Sequence, residues 1–288
     1  MEPRAMGMGL IFALMWSSAF TSGRVIVQYA PPLSALSLRF FISGLVGVLI
    51  ARALGQSWHL SKSQWRSLAI FGVCQNGLYL GLLFVAMQWV EASMAAIIAS
   101  TMPLLVAFAG WLLFRERIAP LGIAGLVAGM VGVAIIMGAR LSGGANLVGV
   151  ALCVVAVLSL TIATLVIRGT QSHGNALMIV GLQMLVGSAS LLPAALLFDD
   201  GAVTWSWQLF VAFAYTTLVP GLAATLVWFL LVNRIGTVRA AVFHFLTPFL
   251  GVTIAAILLG EALGPLDLLG VAVIAGGIFA VQVSKQSS

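Results

Sequence analysis

Long uncharged stretches dominate the chain. Residues 67–90, 92–114, 118–139, 141–167 and 240–260 contain no Asp, Glu, Lys or Arg. Apolar runs longer than about 18 residues are read as membrane-spanning helices, because that length of helix covers a bilayer core. With Gly, Pro and charged residues taken as punctuation, the pattern predicts ten spans. They fall roughly at 7–28, 33–53, 66–88, 92–113, 119–139, 146–168, 174–198, 206–231, 237–259 and 264–283. The connections are short, and the longest is the polar segment "LGQSWHLSKSQWR" between the second and third spans.

The pattern also repeats itself. "ASTMPLLVAFAGWLLFRERIAPLGIAG" at 99–125 is echoed by "HFLTPFLGVTIAAILLGEALGPLDLLG" at 244–270. Pro103 and Pro248, Glu116 and Glu261, Pro120 and Pro265, and Gly125 and Gly270 are each 145 positions apart. The chain therefore divides into two five-helix repeats, 1–141 and 142–288. Five is odd, so the second repeat enters the membrane from the opposite face. The expected fold is an all-α polytopic membrane protein with ten transmembrane helices in two inverted repeats. Inverted repeats characterise secondary transporters, where exchanging the conformations of the halves turns a cavity from one side to the other.

Charge then sets the orientation. Arg4, Arg52, Lys62, Arg66, Arg115, Arg117, Arg168, Arg234, Arg239 and Lys285 fall on one side, against Arg24 and Arg140 on the other. Basic loops stay in the cytoplasm, which predicts that both termini are cytoplasmic. Composition agrees with a membrane protein: 62% of residues are hydrophobic and 7% charged, against about 25% charged in soluble domains. The net charge of +6 comes from dispersed loop residues, not from a basic patch, so nucleic acid is not an expected partner. Cys74 and Cys153 lie mid-helix with no metal-ligand spacing. The first apolar run lacks the flanks of a cleaved signal peptide and is expected to be retained. No metalloprotease motif, nucleophile elbow, intramembrane acid pair or phosphate-binding loop is present, so the expectation is a non-enzyme with no metal and no cofactor.

"ALMWSSAF" in the first span, "LRFF" opening the second, and the doubled Pro–Glu–Pro–Gly spacing carry a resemblance. So do "WLLFRERIAPLGIAGLVAGMVGVAIIM" and "ILLGEALGPLDLLGVAVIAGGIFAV". Over essentially its whole length the sequence resembles the drug/metabolite transporter superfamily, ten-helix EamA-type branch. Within that branch it is most similar to the YddG-like exporters, and this resemblance implies export of aromatic amino acids.

Few polar groups lie at membrane depth. Gln75, Asn76 and Tyr79 share one face of the third span. They serve either as glue between helices or as cavity lining. Their repeat equivalents are Pro220, Gly221 and Ala224, with Trp228 one turn further along. His244, one turn before Pro248, is either a satisfied core histidine or a substrate contact or titrating gate. Thr101 and Thr247 flank the prolines and are placed to bond freed carbonyls or a ligand. Trp16 sits mid-span, where it packs or stacks on substrate. Arg39 is expected to snorkel outward, the alternative being that it holds a carboxylate. Pro103 and Pro248 each remove an amide donor near the midplane, which makes them expected hinges. Glu116 and Glu261 precede Pro120 and Pro265 and are expected to interact with helix N-termini. No Asp or Glu lies within the apolar part of a span, which argues against carboxylate-based proton exchange.

The expected function is a secondary transporter of the bacterial inner membrane that exports small metabolites, aromatic amino acids first among them, by alternating access. The expected partners are that small-molecule substrate and the lipid bilayer. Trp16, Gln75, Asn76, Tyr79, Thr101, Trp228, His244 and Thr247 are the candidate substrate contacts. The alternatives are a carrier for sugar-linked or drug-like solutes, a membrane enzyme, or a lipid scramblase.

Overall fold

The computed structural model describes residues 3–115, 119–166, 175–236, 240 and 242–286. Glu116, Arg117, Arg168 and Arg239 lie outside the described residues. Within them the chain is helical, with no strand. The first repeat contains α1 (Pro3–Tyr29), α2 (Pro32–Ala53), α3 (Lys62–Ala86), α4 (Ala92–Leu113) and α5 (Pro120–Ser142). The second contains α6 (Leu147–Val166), α7 (Ala176–Phe198), α8 (Trp207–Val232), α9 (Phe243–Leu259) and α10 (Pro265–Gln286). Among the described residues nine helices are long and apolar enough to cross a bilayer, and α9 is the shorter tenth. Large apolar side chains such as Leu196, Leu197, Phe198 and Ile257 face outward, as expected where the solvent is hydrocarbon. The fold is an all-α polytopic membrane protein.

The helix ends follow local chemistry. Pro32, Pro120 and Pro265 open their helices, where a missing amide costs nothing. Lys62, not residue 66, starts α3, because a capping box precedes it. Ser61 Oγ accepts the Gln64 amide at 3.2 Å, and Gln64 Oε1 accepts the Ser61 amide at 2.9 Å. Both prolines near mid-membrane mark breaks. In α4 the helix interrupts between Ala99 and Met102, with Pro103 in the first turn of the new segment. In α9 a 3₁₀ segment, Val242–Leu246, precedes Thr247–Leu259, with Pro248 in its first turn.

One helix pair displays the symmetry. On α5 and α10, a Cβ at Gly125 would lie 2.7 Å from the Gly277 carbonyl, and one at Gly277 would lie 2.6 Å from the Gly125 carbonyl. Gly132 and Gly270 face each other in the same way, at 2.9 Å in both directions. The repeat offset maps Gly125 onto Gly270 and Gly132 onto Gly277, so each contact is the image of the other. Such exchange is the signature of a two-fold axis. As one helix ascends, its partner descends, so the repeats are inverted. The α2–α7 pair joins the repeats by a mutual contact between two serines. Ser37 Oγ donates to the Ser188 carbonyl at 3.1 Å, and Ser188 Oγ donates to the Ser37 carbonyl at 2.9 Å.

Candidate functional site

The sequence reads α3 and α8 as regular helices, and the structure corrects this. Gly72–Tyr79 in α3 and Thr217–Ala223 in α8 are π-helical and lie at repeat-equivalent positions. The Leu80 amide donates to the Gln75 carbonyl and the Ala224 amide to the Val219 carbonyl, each five residues back. Single π turns of this kind widen a helix locally and recur at functional sites.

Between these turns lies a central cavity of about 40 Å³, walled by α1, α2, α3, α7 and α8. That is room for only a few waters in this conformation. Contacts between the repeats gather towards both ends of the bundle. At the end bearing the chain termini, Ala5, Leu231, Ala240 and Phe243 form a buried apolar cluster. At the other end, Glu261 takes the Ala92 and Ser93 amides on its two oxygens at 2.8 and 2.9 Å. Glu261 therefore caps α4 of the opposite repeat and not the helix that follows it, as the sequence suggests. Arg24 adds a bond to the Met87 carbonyl at the same end.

Proline chemistry explains the second π turn's contribution. Pro220 has no amide to offer the Thr216 carbonyl four residues earlier. Arg39 Nε takes that carbonyl at 3.1 Å, and Ser43 Oγ, one turn along α2, takes the Thr217 carbonyl at 3.0 Å. Gly221 leaves room for this: a Cβ there would sit 2.9 Å from the Thr216 carbonyl and 3.2 Å from Arg39 Nη2. Arg39 is thus held inward, 4% exposed, with its guanidinium 4.9 Å from the Phe40 ring centre. The snorkelling expectation for Arg39 fails, because the Thr216 carbonyl of α8 accepts its Nε–H and holds the side chain inside the bundle.

Of the residues expected at the site, Trp16, Gln75, Asn76 and Tyr79 line the cavity together. Asn76 Nδ2 donates to the Gln183 carbonyl at 3.0 Å across the repeat interface. Among the described residues, the side-chain amides of Gln75 and Gln183 have no hydrogen-bond partner, and both belong to the cavity wall. Arg39 and Gln183 join the site from α2 and α7. The structure does not bring Trp228, His244, Thr101 or Thr247 onto this wall. Trp228 and His244 pack with Phe12, at 4.9 and 5.3 Å between ring centres, and with each other at 5.0 Å. Trp16 bridges this aromatic cluster to the cavity, 6.2 Å from His244. Thr101 Oγ1 bonds the Ile98 carbonyl at 2.7 Å, not the carbonyl that Pro103 frees. Thr247 Oγ1 is buried without a hydrogen-bond partner.

Comparison with known proteins places this geometry. Residues 3–138 and 147–282 each match the EamA-like transporter family. An uncharacterized transporter of Bacillus subtilis, YvbV, is 25% identical over 275 residues, covering 95% of this chain and 90% of that protein. A protein of Escherichia coli K12 named "Probable amino-acid metabolite efflux pump" is 23% identical over 284 residues, covering 94% and 92%. A solved crystal structure superposes over 98% of both chains with a TM-score of 0.71 at 19% identity, a likeness of fold alone.

Proposed function

Because this chain belongs to the EamA-like transporter family, we propose that it exports amino acids or closely related metabolites, aromatic ones foremost, across the bacterial inner membrane. It is a multi-pass transporter, and the cavity between its repeats is the proposed cargo site. The observation that carries this reading is the meeting of two π turns from opposite repeats around Trp16, Gln75, Asn76 and Tyr79. A cavity shared by two inverted halves is the place where exchanging their conformations moves a bound solute from one side to the other. The breaks at Pro103 and Pro248 are the proposed hinges, since each already separates two rigid segments. The efflux-pump names among the relatives favour amino acids over sugar-linked or drug-like cargo.

Both termini are proposed to face the cytoplasm, with the Glu261 contact at the outer end. A cysteine at Ser287, in a chain lacking Cys74 and Cys153, should then resist an impermeant thiol reagent in intact cells. Transport itself is tested with the purified protein in liposomes. Labelled tryptophan should equilibrate by saturable flux and exchange with unlabelled tryptophan on the far side. Flux no faster than in protein-free vesicles, for tryptophan, phenylalanine and aliphatic amino acids alike, would remove the export reading.

A further inference from the structure

Arg39 is a buried cation whose charge no carboxylate among the described residues answers. Its contacts are one carbonyl and one ring face, and no Asp or Glu lines the cavity it faces. An ion placed so deep in a membrane protein is costly unless paired. Its neighbours on the wall, Gln75 and Gln183, offer neutral amides, each a donor and an acceptor. We infer that Arg39 is the carboxylate-binding group of this cavity, and that the cargo is recognised by a carboxylate and an aromatic or apolar body, with no requirement for an ammonium group. The inference rests on the transport reading above and narrows it to a substrate class.

The chemistry favours this class for three reasons. A single guanidinium fork matches the two oxygens of one carboxylate, whereas a phosphate dianion calls for more than one cation. The rest of the wall is largely apolar or aromatic, including Trp16, Phe20, Phe40 and Phe84, which suits a ring. An ammonium group would meet amide carbonyls, hydroxyls and ring faces, no carboxylate, and a fixed positive charge beside them. Deaminated aromatic acids therefore fit at least as well as the amino acids themselves. Such cargo is a net anion, and an inside-negative potential drives it outward without a coupling ion. At 100 mV the equilibrium gradient is about fiftyfold.

Three indole compounds differing only in charged groups test this: tryptophan, indole-3-propionate and tryptamine. Each competes with labelled tryptophan for the purified protein in nanodiscs, and each is assayed for flux in liposomes. Indole-3-propionate should compete at least as well as tryptophan, and tryptamine should need at least about tenfold more. Arg39→Lys should keep this order with weaker binding, while Arg39→Gln should bind the three within about threefold of one another. If Arg39→Gln fails to fold, the wild-type order and the Lys variant decide. In liposomes, a valinomycin-imposed potential should shift the distribution of indole-3-propionate and not that of tryptophan. Tryptamine competing as well as tryptophan, or an unchanged order in Arg39→Gln, would overturn the assignment. Binding in the expected order without flux removes the transport reading and supports Arg39. Flux without that order does the reverse, and neither binding nor flux removes both.

Discussion

The π turns at Gly72–Tyr79 and Thr217–Ala223 stand at equivalent places in the two repeats, yet they serve the cavity differently. The first presents side chains: Gln75, Asn76 and Tyr79. The second presents backbone, because Pro220 and Gly221 stand where Gln75 and Asn76 stand in the first. Its carbonyls at Thr216 and Thr217 accept from Arg39 and Ser43 of α2. One geometry, inherited twice, thus supplies amides on one wall and anchors a cation on the other. The inverted repeat preserves the mechanical frame, and divergence at a few positions lets one turn supply polar side chains and the other anchor a charge.

The harshest way to break this comparison is to make the second turn resemble the first. Gly221→Val places a branched side chain where even a Cβ would crowd the Thr216 carbonyl and Arg39 Nη2. Overpacking of this kind typically costs about 1–3 kcal/mol. Transport should be lost and the melting temperature lowered, with Gly221→Ala intermediate. A fully active Gly221→Val would show that the close approach of α2 to the π turn is dispensable.

A smaller effect separates the two tryptophans. Trp16 lines the cavity, whereas Trp228 packs on Phe12 behind it. Removing an aromatic face that stacks on a ligand costs about 0.5–1.5 kcal/mol beyond lost area, up to about tenfold in affinity. Trp16→Ala should therefore depress flux of aromatic cargo relative to small aliphatic cargo, while Trp228→Ala should lower both together. Equal ratios in both variants would reduce Trp16 to a packing residue.

Much of this architecture is legible without coordinates, and the limits are instructive. Spans, repeats and breaks follow from charges and prolines, because a bilayer forbids unpaired backbone and tolerates few charges. A π turn is different. It is a shift of one hydrogen bond in register, and nothing in "GVCQNGLY" distinguishes it from an α-helical reading. Arg39 is equally open, since an arginine about 10 Å from a helix end can reach either water or the interior. Its fate depends on a carbonyl about 180 residues later in the chain, and local pattern contains no such information. Glu261 is the same case, its partners being the amides of a helix in the other repeat.

On the first turn, the expected loss is milder than at Gly221. Asn76→Ala removes the bond from Nδ2 to the Gln183 carbonyl. That carbonyl lies within α7 and retains its helical partner, so the net loss is about 1 kcal/mol. The variant should fold, melt slightly lower and keep measurable flux. A loss as complete as that of Gly221→Val would mean that Asn76 touches cargo directly, and that the first wall carries as much recognition as the second.

The smallest change is expected at His244, whose first-repeat equivalent is Ala99. The imidazole meets the rings of Phe12, Trp16 and Trp228 at 5.3, 6.2 and 5.0 Å, and all three contacts are edge-on. It stands behind Trp16 and off the cavity wall. His244→Phe preserves an aromatic edge at nearly constant volume, a class of swap that usually costs less than about 1.5 kcal/mol. Flux should be retained, and an imposed pH gradient should drive no accumulation of tryptophan in either protein, because no Asp or Glu stands on the cavity wall to exchange protons. The two halves would then differ here in packing alone. Accumulation driven by the pH gradient in the wild type and abolished in His244→Phe would instead make this ring the proton carrier, and the asymmetry between His244 and Ala99 would become the source of coupling.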